Sequence, residues 1–167
     1  NREGRVFPIW AECLGLELIA LLVAGIDVKQ GGQQNKELFS LTDSKNFSTT
    51  LKLYDIKSSV LFSNTPKRLQ KFMASKAFAY NNHIVGMTPK TFNRYNKLKS
   101  MFHITSTSND RLGQQFISTM EGRRYPFFLF HWHPSKPQFE WSEGLDIFHS
   151  PDAVRLVQQL FGRFVDK

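Results

Sequence analysis

The sequence predicts an α/β fold, and three observations carry that expectation. A short apolar strand candidate, Val6-Phe7-Pro8-Ile9-Trp10, runs through a tight turn straight into a helix that is apolar almost all round, Leu16 to Ala24. Phe127 to Trp132 is apolar on both faces until His131, as a strand in the middle of a sheet would be. A closing segment from Ser150-Pro151 places Val154, Val157, Leu160, Phe161, Phe164 and Val165 at helical spacing.

The remaining elements follow in order. Gly25 stops the first helix. Asp27 to Thr49 is rich in Gly, Gln, Asn and Ser and reads as a loop, with the sequon Asn46-Phe47-Ser48 inside it. Thr50 to Tyr54 and Ser59 to Phe62 are short strand candidates, and Thr65-Pro66 opens a helix through Met73. Ala77 to Tyr80 reads as a strand leading into Asn81-Asn82-His83. Thr88-Pro89 starts a helix to about Leu98. Phe102 to Thr105 and Gln115 to Met120 are strands, with turns at Asn109-Asp110, Gly113 and Gly122. Pro134 to Asp146 reads as a loop, and Asn1 to Gly4 as a loop without the apolar stretch of a signal peptide.

At 167 residues the chain fits one domain and can bury a core unaided. Its 41% hydrophobic and 22% charged residues exclude disorder and coiled coil. The one cysteine, Cys13, excludes an intramolecular disulfide, a zinc ribbon and a CxxC redox site. The longest apolar run, Leu18 to Ile26, is too short to span a bilayer.

A net charge of +8 points to an anionic partner. Ile56 to Asn109 contains no Asp or Glu but nine Lys and Arg residues. That stretch is either a solvated basic face or a field that draws in a multiply charged anion. No RNP1 aromatic motif and no zinc finger accompanies it, so nucleic acid is not the expected partner.

Chemistry concentrates at Ala11-Glu12-Cys13-Leu14-Gly15. A nucleophile elbow needs small residues two before and two after the nucleophile, because the turn is too tight for larger ones. Ala11 and Gly15 supply them. Cys13 falls at the N-terminus of a helix, where the dipole favours a thiolate, and the N–H of Leu14 points where an oxyanion forms. A thiol nucleophile needs a histidine to protonate the leaving amine. His133 follows an apolar strand, so it sits at a carboxyl end, the edge where α/β sheets place their crevice. A buried, inert cysteine is the plainer alternative. His131 and His133 form an H-x-H pair, but no third convergent ligand is visible and no metal or other cofactor is expected. Glu17, one turn on from Cys13, either contacts substrate or supports the helix start.

These residues resemble a known family. Phe7-Pro8-Ile9-Trp10-Ala11-Glu12-Cys13-Leu14-Gly15-Leu16-Glu17 looks like the nucleophile segment of the γ-glutamyl hydrolases, which share the class I glutamine amidotransferase-like fold. Phe116 to Gly122, Tyr125-Pro126, Trp132-His133-Pro134 and Phe139-Glu140-Trp141 are similar to the histidine segment of that family, in the same order. His149 to Val154 resembles its last helix start. Asn82-His83 matches a further active-site histidine position, which makes His83 a candidate for substrate binding or proton transfer. The resemblance implies an open, doubly wound, flavodoxin-like sheet and a thiol hydrolase in which Cys13 attacks a γ-glutamyl amide and His133 moves the proton. It implies poly-γ-glutamylated folate as substrate, a lysosomal, vacuolar or secreted location, and meaning for the sequon at Asn46.

The sequence departs from the family at three points. Ser135 stands where a glutamate normally orients the histidine, and Ala11 where glycine is usual. The strands that precede the elbow, with a Gly-Gly loop donating the second oxyanion N–H, are not in this chain. The expectation is therefore the C-terminal part of a longer domain, partnered by its own N-terminal segment, with a homo-oligomer or larger assembly left open. Two other functions stay open as well: a catalytically weak homologue acting as a binding or structural module, and a glutaminase domain.

Overall fold

The computed structural model describes residues 6–30 and 35–167, so the expected loop at Asn1 to Gly4 lies outside the described residues. In chain order the elements are β1 (Ile9–Glu12), α1 (Leu14–Ala24), β2 (Ser40–Thr49), β3 (Lys52–Leu53), α2 (Lys67–Ser75), β4 (Ala79–Gly86), α3 (Pro89–Arg94), α4 (Asn96–Met101), β5 (Phe102–Asn109), β6 (Gln115–Gly122), β7 (Phe127–Phe130), α5 (Lys136–Phe139) and α6 (Pro151–Val165). An open sheet has the order β1-β7-β6-β5-β3. Within it β1 and β7 run parallel, and the other neighbours are antiparallel. β2 and β4 form a separate antiparallel pair.

Helices cover both faces of the open sheet, as a doubly wound architecture requires. On one face Leu16, Ala20 and Leu21 of α1, Phe92 of α3 and Leu98 of α4 pack with Ala11, Ile117, Met120 and Leu129. On the other, Met73 of α2 and Leu156, Val157 and Leu160 of α6 pack with Phe128, Phe130 and Trp132. The β7 residues alternate between the two cores, which follows from the two-residue period of a strand. Each fully buried leucine contributes roughly 1.5–3 kcal/mol.

Local chemistry sets the helix ends. Gly25 adopts φ 79°, and its N–H closes onto the Leu21 and Leu22 carbonyls. Ser150 and Thr88 cap α6 and α3 by accepting from the Ala153 and Thr91 N–H groups, at 3.1 and 3.0 Å. Pro66 holds the cap position of α2, while Thr65 Oγ1 accepts instead from Gln159.

Several sequence expectations are corrected. The Asp27 to Thr49 loop contains β2, whose alternating buried positions are Thr42, Ser44 and Ser48 rather than apolar residues. Ser59 to Phe62 is no strand: it is a run of turns gathered around the buried carboxylate of Glu121, which accepts from Ser59 Oγ and from the Val60 N–H at 2.7 Å. β1 begins at Ile9, beyond Pro8. β4 extends to Gly86, so His83 sits in a strand. Tyr95, with an extended backbone, divides the helix expected after Thr88 into α3 and α4. The Pro134 to Asp146 loop holds the single turn α5.

Candidate active site

β1 and β7 are adjacent and parallel, with Glu12 paired to Phe130. Cys13 and His133 therefore leave the same edge of the sheet. Cys13 has φ 51° and ψ −109°, a positive-φ conformation that a side-chain-bearing residue adopts only when its surroundings impose it. Two contacts impose it here. The Cys13 N–H donates to the Phe130 carbonyl at 2.7 Å, and its own carbonyl accepts from Glu17 N–H as α1 starts. A Cβ placed on Gly15 would lie 3.1 Å from the Ala11 Cβ, so the small residues on either side of Cys13 pack against each other. This is the elbow geometry that the spacing predicts.

The electrostatics of the thiol differ from the macrodipole expectation. Burial, then the nearby Glu17 carboxyl, push the Cys13 thiol up to about 11; the Leu14 N–H, directed at the sulfur, opposes them, and Glu12 adds to the rise. At neutral pH Cys13 is a thiol, and its proton must leave as it attacks.

His133 is held from two sides. Its N–H donates to the Tyr80 carbonyl of β4 at 2.8 Å. Its Nδ1 lies 3.6 Å from Glu12 Oε2. Ser135, the position where a glutamate was expected, donates from Oγ to the same Oε2 at 2.8 Å, and Trp10 Nε1 donates to Glu12 Oε1 at 2.8 Å. Burial disfavours the Glu12 carboxylate, but the neighbouring His133 imidazole and the hydrogen bonds from Trp10 and Ser135 outweigh it, so Glu12 lies below the usual carboxylate range. Glu12 is the residue that sequence reasoning missed. The available signal was a carboxylate beside the nucleophile in a chain that lacks one two residues after the histidine.

The other candidates form a buried floor. The strand ladder of β7 stops at Phe130, and His131 and His133 then meet different carboxylates. His131 is fully buried, with Nε2 3.3 Å from Glu17 Oε1 and its ring stacked on that of His83 at 3.7 Å between centroids. His83, also buried, has Nδ1 3.2 Å from Thr42 Oγ1 and Nε2 3.1 Å from Asn81 Oδ1. Burial, with the neighbouring imidazoles, lowers His131 to about 3 and His83 to about 2, so both rings are neutral. Burial raises Glu17 to about 7. Among the described residues, no group of three or more His, Cys, Asp or Glu side chains is arranged to hold a metal ion.

The chain is similar to known proteins along most of its length. The chain is 36% identical over 154 residues to the gamma-glutamyl hydrolase of Rattus norvegicus, covering 92% of this chain and 45% of that protein. It is 33% identical over 167 residues to the Homo sapiens gamma-glutamyl hydrolase, covering 99% and 49%. The chain is a relative of the γ-glutamyl hydrolases. A probable gamma-glutamyl hydrolase 3 of Arabidopsis thaliana is 32% identical over 161 residues, covering 95% of this chain and 43% of the plant protein. This γ-glutamyl hydrolase relative thus spans just under half the length of the curated relatives it matches. No family model matches the chain. Among solved structures, a putative GMP synthase component from Thermoplasma acidophilum superposes with a TM-score of 0.53 at 15% identity, over 97% of this chain and 59% of that one. That likeness shows the fold, an α/β architecture of the glutamine amidotransferase type.

Asn46 lies within β2 at φ 47°; its Nδ2 donates to the Gly144 carbonyl at 3.0 Å, and its Oδ1 accepts from the Asp146 N–H at 2.8 Å. Trp132 is fully buried packing, whereas Trp141 is exposed and stacked on His149 at 3.8 Å between centroids.

Glu17 gives this γ-glutamyl hydrolase relative a pH-dependent stability. Its folded value of about 7 lies above the ordinary 4.5, so the folded protein holds a proton that the unfolded chain releases. The contribution is fully present below pH 4.5 and is lost as pH rises through about 7. Urea denaturation should therefore show Glu17→Gln gaining on the parent between pH 4 and pH 8, by on the order of 3 kcal/mol. A constant difference across that range would show that Glu17 does not titrate in this way.

Proposed function

We propose that the chain carries the nucleophile and the histidine of a cysteine-dependent hydrolase that cleaves γ-glutamyl bonds, with poly-γ-glutamylated folate as the substrate class. The observation that supports this most is the adjacent parallel pair β1 and β7, which delivers the strained Cys13 and the anchored His133 to one edge of the sheet. In this reading Cys13 Sγ attacks the γ-carbonyl carbon, and His133 takes the thiol proton as the S–C bond forms. The Leu14 N–H supports the oxyanion. Collapse of the tetrahedral intermediate breaks the C–N bond; His133 returns the proton to the leaving glutamate nitrogen and leaves a pteroylglutamyl thioester. Water, deprotonated by His133, then attacks the thioester and frees the thiol.

The rest of the reading rests on charge and resemblance. The +8 balance suits a substrate tail of repeated carboxylates. The location is lysosomal, vacuolar or secreted. Among the described residues no helix is long and apolar enough to cross a membrane. Glu17, His131 and His83 form a buried cluster in which His131 touches both of the others, and Glu17 acts on the Cys13 thiol.

A second reading, a weakly active or inactive homologue serving as a binding module, is favoured by two observations: the thiol raised to about 11, and serine at position 135. Incubation with a folate diglutamate separates the two. The hydrolase releases glutamate, and acid quenching traps a pteroylglutamyl adduct on Cys13. A protein that releases none, forms no adduct and is alkylated at Cys13 only as pH climbs toward 11 is the module.

A further inference from the structure

We propose that Glu12 is the positioning carboxylate of His133, reaching the imidazole from the strand that carries the nucleophile rather than from the segment after the histidine. This rests on the hydrolase reading above and adds to it the residue that takes over from the glutamate missing at position 135.

The argument begins with where a carboxylate is needed. An imidazole that must accept a proton at Nε2 has to carry its own proton on Nδ1, and a carboxylate at Nδ1 selects that tautomer and steadies the imidazolium. Ser135 Oγ brings no charge. It spends its proton on Glu12 Oε2 at 2.8 Å instead. Trp10 Nε1 fixes the other oxygen at 2.8 Å. Two neutral donors, one on each oxygen, hold the carboxylate in one orientation, and that orientation sets Oε2 3.6 Å from His133 Nδ1. The separation is that of an ion pair, slightly longer than a hydrogen bond, and catalytic contacts of this kind shorten when the ring takes its charge.

Among the described residues, the neighbouring glutamates are engaged elsewhere. Glu17 faces His131 at 3.3 Å, and Glu140 pairs with Lys136 at 3.4 Å. Cys13, His131 and His83 are in electrostatic contact with this cluster. Burial keeps both of those histidines neutral. In effect, a carboxylate next to the nucleophile and a hydroxyl after the histidine replace the family's carboxylate after the histidine. The serine that looks like a lost catalytic group becomes the clamp on its replacement.

Glu12→Gln tests this, because the amide oxygen can still accept from Trp10 or Ser135 while the charge is gone. Folate-diglutamate hydrolysis by the variant should show kcat reduced by about 10²–10⁴-fold with KM changed less than about threefold. The 15N NMR signals of the His133 ring should show Nδ1–H as the dominant neutral tautomer in the parent and a shift toward Nε2–H in the variant. A merely structural Glu12 would not move that tautomer. An unchanged tautomer, with or without a loss of kcat, overturns the proposal. The NMR measurement needs no turnover: if the parent hydrolyses no γ-glutamyl bond yet its His133 tautomer depends on Glu12, the hydrolase reading fails and the positioning role stands.

Discussion

The Cys13→Ala variant should release no glutamate from a folate diglutamate, and His133→Gln should retain at most about one part in 10²–10⁴ of the parent kcat. The two losses have different origins. Without Cys13 no thioester can form, so the reaction has no covalent route at all. Without His133 the nucleophile is present, but a thiol raised to about 11 has nowhere to send its proton. The other nearby imidazoles cannot take over: burial and neighbouring imidazoles hold His131 at about 3 and His83 at about 2, far too weakly basic to accept a proton near neutrality. The difference is measurable, because His133→Gln should recover part of its rate as pH rises toward the thiol value, whereas Cys13→Ala should stay flat. A His133→Gln enzyme with the parent rate at pH 7 would show that another group removes the proton.

Trp132→Ala should cost about 3–5 kcal/mol of folding stability. Trp132 is fully buried between the two histidines, with its ring edge-on to Phe78 and Phe130 at 5.4 and 5.8 Å between centroids. Its Nε1 donates to Thr119 Oγ1 at 3.1 Å, tying the segment after β7 to β6. The substitution opens a large cavity in the core shared with α6 and removes that tie. For a domain of this size the Tm should fall by roughly 10 °C or more in calorimetry. Trp132→Phe, which keeps most of the volume, should lose clearly less. Equal losses for the two variants would assign the effect to the hydrogen bond rather than to packing.

The parts of the fold that the sequence revealed are those in which local chemistry and burial agree. Ser150-Pro151 followed by apolar residues at helical spacing could hardly be anything but α6, and Gly25 marks the end of α1 by the same logic. The elbow was legible because its steric demand falls on two small residues at fixed spacing, Ala11 and Gly15. β2 was not, because its inward positions are Thr42, Ser44 and Ser48, whose burial depends on partners far along the chain. Ser59 to Phe62 misled for the opposite reason: β-forming residues there are bent into turns by the distant Glu121. Of the candidate site, Cys13 and His133 stand out in the sequence by their motifs. The Glu12 contact could not, since it depends on a side chain 121 positions away in the chain reaching across adjacent strands.

The stacked imidazoles of His83 and His131 carry a consequence for acid tolerance. Exposed histidines would each gain a proton as their surroundings acidify from neutrality to pH 4, and two such charges in contact would push the floor apart. Here neither ring protonates over that range, and the one floor group that does respond, Glu17, becomes neutral. Its neutralisation also removes one of the charges that hinder thiolate formation at Cys13. Acidification thus leaves the packing around these rings intact and eases the electrostatic burden on the Cys13 sulfur.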